Sequence, residues 1–239
     1  MTTPASRPPT CGHPRLTSPG AQRAHIALAE LNIPFEEVII DLGTPRTPEY
    51  LAINPRGLVP TLSFNGEIII ESAIVASFLA AQYPSHLVPS PSDPDAALKR
   101  ARIDLFVDAF ITKFQTPLFK LFTASGEDEV NAVVSGAVAS LVKEVEPRLE
   151  NAAPFFGGSE KLGLAEVLTG SFVLRLLKLG KPEHGIYPAS LLESIREQAP
   201  NFTKWAEAVA AHPSVTKVFD EQKIVEGTKA RIAKIRAAA

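Results

Sequence analysis

Thr61-Leu62-Ser63-Phe64-Asn65-Gly66-Glu67-Ile68-Ile69-Ile70-Glu71-Ser72 is the stretch from which the fold reads outward. Asn65-Gly66 stands between two strand-like runs, 61–64 and 67–70. Asn-Gly between two strand-like runs is the signature of a two-residue hairpin turn. The stretch therefore reads as a β-hairpin. Ser72 ends the second strand and can cap a helix running to about residue 82, with Ile74, Phe78 and Leu79 as core candidates.

Upstream, residues 43–57 hold Gly43, Pro45, Pro48, Pro55 and Gly57, an irregular connection with one helical turn around 49–53. Phe35-Glu36-Glu37-Val38-Ile39-Ile40 reads as a strand, and Ile33-Pro34 breaks the helix before it. That helix, residues 19–32, opens on Ser18-Pro19-Gly20-Ala21-Gln22-Arg23. Ser18 is a good N-cap, and Pro19 takes the first helical position, where an N–H would lack an intrahelical partner. Ala24, Ala27, Leu28 and Leu31 form its apolar stripe. Residues 10–16 read poorly as a strand, because Gly12 and Pro14 interrupt them. With a short first strand there, the order over 10–83 is strand, helix, strand, irregular segment, strand, strand, helix. That order is an α/β domain with a four-stranded mixed sheet.

Downstream, residues 84–95 (PSHLVPSPSDPD) contain four prolines and three serines and read as a linker. Everything beyond is helical in pattern: 96–121, 128–149 with Pro147 bending its end, a nearly all-apolar 163–179, then 191–198, 200–212 and 213–235. The expected organisation is an α/β domain over 1–83, the Pro-rich linker over 84–95, and an all-α domain over 96–239.

The chain has 239 residues, 45% of them apolar and 21% charged, as suits a globular protein with a real core. A net charge of −2 gives no electrostatic case for nucleic acid or an acidic membrane surface. No apolar run approaches the roughly 20 residues that span a bilayer. The start, residues 1–9, lacks the apolar core of a signal peptide and reads as a loose arm. Cys11 is the lone cysteine, which excludes an intrachain disulfide and a cysteine-based zinc cluster and fits a reducing, cytoplasmic setting. His13, His25, His86, His184 and His212 show no metal-ligand spacing, so no metal is expected.

With both halves laid out, the chain resembles the cytosolic glutathione S-transferase family over nearly its whole length. Ser18-Pro19-Gly20-Ala21-Gln22-Arg23 looks like the motif in which Ser or Cys precedes Pro at the start of the first helix. Asn54-Pro55-Arg56-Gly57-Leu58-Val59-Pro60-Thr61-Leu62 is similar to the family's NPxGxVPxL segment, and Glu71-Ser72-Ala73-Ile74 to its ES-x-I segment. Ala206-Glu207-Ala208-Val209 with His212-Pro213-Ser214-Val215 looks like the family's late helix and its ending. A serine directly before Pro19 resembles the branch that otherwise carries cysteine there, a fungal or bacterial-like member with a serine-type active site.

The resemblance implies a thioredoxin-like first domain that binds glutathione as co-substrate, and a helical domain that holds the electrophile. It implies a cis peptide before Pro60, with Val59 pairing its backbone to the cysteinyl unit of glutathione. It gives Ser72 and its free N–H groups to the γ-glutamyl carboxylate, and Glu71 to the amino group. Arg46 lies where related enzymes put a basic residue near the glycyl carboxylate. Each residue also has a plain reading: Pro60 as a strand-start proline, Ser72 as a cap, Glu71 and Arg46 as solvated charges. Phe106, Phe110 and Phe114 stand at i, i+4 and i+8, either as an apolar wall for the second substrate or as core. Phe119 and Phe122 lie beyond Pro117, where a bend is expected.

Ser18, or Thr17 if the register shifts by one, would stabilise the glutathione thiolate. A thiol of pKa ~8.5 must fall by about two units, or about 2.7 kcal/mol, to be ionised at neutral pH. A hydrogen bond from a hydroxyl to the anion contributes about 1.5–3 kcal/mol and the helix N-terminus about 0.3–1. The activity implied is conjugation of an apolar electrophile, as in detoxification, by a cytoplasmic homodimer. A thiol transferase or peroxidase of the same fold is a second reading, with Cys11 upstream as its sulfur. A non-catalytic module that binds glutathione, an apolar ligand or a protein is the third. One departure stands out: the buried helix of the second domain starts Gly163-Leu164-Ala165-Glu166, where many relatives carry Ser or Thr with an acidic residue three further on. A helix with a weaker cap is expected, with Glu166 reaching back.

Overall fold

The computed structural model describes residues 10–13, 18–217 and 219–238. The hairpin forms as read: β3 (Thr61–Phe64) and β4 (Glu67–Ile70) are antiparallel, and Asn65 and Gly66 both take positive φ, 51° and 89°. β1 (Thr10–His13) pairs antiparallel with β3 and parallel with β2 (Glu36–Ile39), giving the sheet order β2-β1-β3-β4. Gly12 does not prevent β1 from forming, because both its edges find partners; tertiary pairing outweighs intrinsic strand propensity. Pro14 lies outside the described residues. β2 is an exposed edge that carries Glu36 and Glu37, and such charges discourage further pairing.

α1 (Pro19–Glu30) and α3 (Ser72–Gln82) pack on one face of the sheet, where Ala24, Ala27, Val75 and Leu79 close over Cys11 and Leu62. α1 ends slightly before its expected limit, since Asn32 enters the left-handed region at φ 50°. α2 (Pro48–Ile53) is the helical turn within the irregular connection. Residues 83–95 contain neither helix nor strand.

The helical half begins with a rod that is not one uniform α-helix. α4 (Ala96–Asp108) passes into a π-helical stretch, Ala109–Gln115, then α5 (Thr116–Leu118) and a 3₁₀ turn, Phe119–Phe122. α6 (Glu127–Glu144) stops short of Pro147, which sits in a 3₁₀ turn, Glu146–Leu149. α7 (Leu164–Leu179) runs buried through the domain with α9 (Pro200–Ala211) beside it, and α8 (Ala189–Gln198) packs on α9 and α6. The segment read as one helix over 213–235 is two, α10 (Pro213–Thr216) and α11 (Glu221–Ala238). Asp220 explains the break: its Oδ1 accepts the Lys223 N–H at 3.1 Å and so starts a new helix.

Glu166 replaces the missing hydroxyl cap of α7. It is buried, and its carboxylate accepts from the backbone N–H of Gly163 (2.9 Å) and of Phe156 (2.8 Å) and from Trp205 Nε1 (2.8 Å). Burial still outweighs these bonds and raises its pKa.

Phe106, Phe110 and Phe114 are fully buried core residues. Phe106 and Phe110 meet Trp205 edge-on, and Phe114 meets Phe202 the same way. With Phe156 on Phe106, six aromatic rings thus share one cluster, which leaves this stripe facing the interior and not a substrate.

Candidate active site

The strand registers bring the sequence motifs to one end of the sheet. Thr61 pairs with Gly12 on one side and Ile70 on the other. One step further along, Val59-Pro60 and Glu71-Ser72 therefore lie where β1 leaves the sheet toward α1. The Val59–Pro60 peptide is cis, as the resemblance implies. Neither backbone group of Val59 has a backbone partner among the described residues.

Ser18 is the N-cap of α1, with extended backbone (φ −87°, ψ 124°), and its Oγ accepts the Ala21 N–H at 3.4 Å. The bond is long, and it uses a lone pair. The hydroxyl hydrogen remains able to donate to a group in front of the helix. Ser72 is not the cap of α3 but its first helical residue; Glu71 takes the cap position. The reason is the backbone of Glu71, whose φ of 70° is uncommon for a residue with a side chain. Such conformations persist where the surrounding structure enforces them, often at ligand sites. The Glu71 side chain is ion-paired with Arg56.

Gly20 separates the two serines. A Cβ built there would come within 3.3 Å of Ser72 Oγ and 3.6 Å of Ser18 Oγ. Two hydroxyls and the free N–H groups of two helix starts thus face one small space that a larger residue would fill. Arg23 stands behind it. Its Nη1 donates to Ser72 Oγ (3.2 Å), its Nε donates to Leu168 O (2.7 Å), and its guanidinium lies 4.8 Å over the Phe172 ring. Burial lowers its pKa to about 10, which leaves it charged at neutral pH.

α7 fixes the angle of α1. Ser171 Oγ donates to the carbonyl of Pro19 at 2.9 Å, and Arg175 donates to Gln22 Oε1 and to Ser171 O. Ser18 and Pro19 also line a cavity of about 400 Å³. Leu42, Phe119, Phe122, Phe172, Leu179 and Ile224 supply its apolar lining. Gln115, Tyr187, Arg175, Lys223, Thr228 and Arg231 supply the polar part. Gln115 Oε1 is buried with no hydrogen-bond partner among the described residues. Burial pushes the Tyr187 hydroxyl up to about 12, so it stays a neutral donor.

Two of the expected assignments change. Phe106, Phe110 and Phe114 do not line this cavity; the wall is built by Phe119, Phe122 and Phe172. Arg46 donates to the carbonyls of Gly57, Asp41 and Thr44, so its guanidinium holds loops together. Thr17 lies outside the described residues. Cys11 is fully buried in the core, and burial raises its thiol to about 12, so it presents no reactive sulfur. Among the described residues, no three His, Cys, Asp or Glu side chains gather as a metal-binding group would.

Sequence reading missed Arg23, Arg175, Gln115, Tyr187 and the α11 residues. A signal existed for Arg175: a single arginine inside the apolar 163–179 run is costly to bury unless it is used. Nothing in the sequence marked α11, whose contribution depends on where the chain folds back.

Residues 17–82 match the family model described as the glutathione S-transferase N-terminal domain. A Zea mays protein described as "Probable glutathione S-transferase BZ2" is 30% identical over 222 residues, covering 89% of this chain and 91% of that protein. This chain belongs to the glutathione S-transferase family. The pyrimidodiazepine synthase of Drosophila melanogaster is 28% identical over 212 residues, 86% of this chain and 79% of that one. The rice transferase OsGSTU1, solved in complex with glutathione, has the same fold, with a TM-score of 0.79 at 24% identity over 97% of this chain and 99% of that one. The transferase therefore combines a thioredoxin-like N-terminal domain with a helical C-terminal domain. Among its described residues, no helix is long and apolar enough to cross a membrane.

Proposed function

We propose that this transferase joins the thiolate of glutathione to an apolar electrophile, with Ser18 holding the sulfur as an anion. The observation that carries the reading is the position of Ser18 at the N-terminus of α1, on the rim of the aromatic-walled cavity and across Gly20 from Ser72. Glutathione supplies the sulfur, whose lone pair forms the new bond to carbon while the leaving group departs with its bonding pair. The chain's own groups do the rest. Ser18 donates its hydroxyl hydrogen to the sulfur, and the first N–H groups of α1 favour the negative charge. The Val59 backbone pairs with the tripeptide as an added strand would. The Ser72 N–H, backed by the Arg23 charge, receives the γ-glutamyl carboxylate, and Glu71 accepts from the amino group. Arg46 is left out, since three carbonyls already occupy its guanidinium.

In this reading, glutathione is held by the domain over 1–83 and the electrophile by the domain over 96–239. A serine-type member of a fungal or bacterial-like branch, acting in cytoplasmic detoxification as a two-fold homodimer, completes it. The lone thiol supports a reducing compartment, and the family's usual assembly supports the dimer.

The test is a titration of bound glutathione by its thiolate absorbance in the native protein and in Ser18→Ala. The native protein is expected to hold the thiol well below its free value. The variant is expected to raise it by about 1–2 units, the loss of one hydrogen bond to a charged partner. An unshifted thiol in the native protein, or an unchanged one in the variant, would refute the role of Ser18.

A further inference from the structure

We infer that the electrophile this transferase is built for carries a negative charge, an aromatic ring bearing a carboxylate or another fixed anion. The inference rests on the transferase reading above and specifies its second substrate. An apolar cavity alone would suit a neutral compound. This one carries charged and polar groups among its apolar lining.

Three cations line the cavity, Arg175, Lys223 and Arg231, and no carboxylate is among its described lining residues. They come from two elements, α7 and α11. Arg175 is the buried one, only 9% exposed, and it also lies 5.7 Å from the centre of the Phe219 ring. Its links to Gln22 and Ser171 fix the guanidinium in place. Burial lowers its pKa only to about 10, so it remains a cation at neutral pH. Lys223 shares its charge with Asp220 at 2.9 Å, so it offers a partial counter-charge. Arg231 has no ion pair among the described residues.

Two neutral groups fit the same ligand. Tyr187 remains protonated and offers an O–H donor. Gln115 holds its carboxamide at the cavity with its oxygen unsatisfied, and rotation of that amide turns its NH₂ toward an acceptor instead. Phe119, Phe122 and Phe172, with Phe122 stacked on Tyr187, present ring surface to a flat partner. An aromatic anion answers both kinds of lining, its ring the phenylalanines and its charge the cations. A neutral hydrocarbon would use the rings alone and bring no acceptor to the Tyr187 hydroxyl or the cations.

The test uses a matched pair, 4-chloro-3-nitrobenzoate and its neutral amide. Each displaces a fluorescent naphthalene dye from the full-length protein without glutathione, so the readout does not depend on turnover. The benzoate is expected to bind at least about tenfold more tightly than the amide at low salt, the discrimination expected of one charge-assisted contact in a partly buried site. Because Arg175 also braces α1, the double variant Lys223→Gln/Arg231→Gln carries the mutational arm. It should cut the benzoate's advantage several-fold and leave the affinity of the amide unchanged. Equal binding of the two compounds, or an advantage that the double variant leaves intact, would overturn the inference.

Conjugation rates with glutathione, each divided by the uncatalysed rate, separate this inference from the function beneath it. Turnover of the amide with no preference for the benzoate would leave the transferase standing and sink the anionic substrate. Selective binding of the benzoate with no turnover of either compound would leave the cavity assignment standing and sink the conjugation reading.

Discussion

Removing the Glu166 carboxylate should destabilise the protein more than any cap on its surface would. Glu166→Ala strands three donors: the N–H of Phe156, the N–H of Gly163 and Nε1–H of Trp205, now held at 2.8, 2.9 and 2.8 Å. A buried donor without a partner costs about 1–3 kcal/mol. Trp205 is fully buried and falls at the upper end of that range; the two backbone groups are partly buried and fall near the lower. The sum is about 5 kcal/mol, which in a chain of this size lowers Tm by about 10–20 °C. Glu166→Gln isolates the charge. It retains one carbonyl oxygen for Phe156 and Trp205 and turns an NH₂ against the Gly163 N–H, at a cost of about 1 kcal/mol. Burial raises the folded-state pKa of Glu166 above its ordinary value of 4.5. A raised carboxyl favours the fold fully below that ordinary value, and the advantage is lost as pH rises through the folded one. The deficit of the Gln variant against wild type should therefore shrink as pH rises from about 4.5. Circular dichroism melts of the three proteins at several pH values decide the matter. A Glu166→Ala melting point within about 2 °C of wild type, or a Gln deficit that grows with pH, would refute this account. Activity should fall with stability, because α7 carries the residues that brace α1 and wall the cavity.

Phe110→Ala should cost about 3–5 kcal/mol and leave the KM for electrophile unchanged at a permissive temperature, as fits a core ring. Phe119→Ala, at a position 40% exposed, should instead raise that KM several-fold and change stability by less than about 1 kcal/mol; denaturant melts with kinetics on both variants read the contrast. Glu71→Gly removes the side chain from a backbone with φ 70°, so the denaturant midpoint should hold or rise while glutathione affinity, followed by calorimetry, falls. Glu221 is held down to about 2, first by the hydrogen bond from Lys181 and then by His184 and Lys178. A depressed carboxyl stabilises the fold above its unfolded value and loses that contribution as pH falls through the folded one. The stability gap between wild type and Glu221→Gln should thus be full near neutrality and vanish between about 4.5 and about 2.

The first domain was legible because its information is local. Asn65-Gly66 dictates a hairpin through the φ angles it tolerates, and Ser18-Pro19 dictates a helix start through the N–H that proline lacks. What stayed hidden depends on contacts far apart in sequence. Whether Phe106 or Phe119 meets a ligand depends on which side of the rod faces α9, and an i, i+4, i+8 stripe looks the same either way. Ser72 read as a cap because serine usually is one; the positive φ of Glu71 moved the helix start by one residue. Arg46 read as a free cation because no sequence pattern announces that Asp41, Thr44 and Gly57 turn their carbonyls toward it.

The π-helical stretch Ala109–Gln115 works as a gear between two surfaces of the same rod. One extra residue in a helical turn rotates everything after it by about 100° relative to an uninterrupted α-helix. The rings before and within the stretch, Phe106, Phe110 and Phe114, mesh with the interior. The rings after it, Phe119 and Phe122, line the cavity. Substitutions beyond Gln115 can therefore reshape what the enzyme accepts while the interior keeps its original fit. Deleting a single residue within the stretch would re-phase the rod and swing Phe119 and Phe122 away from Ser18 without touching any residue of the N-terminal domain.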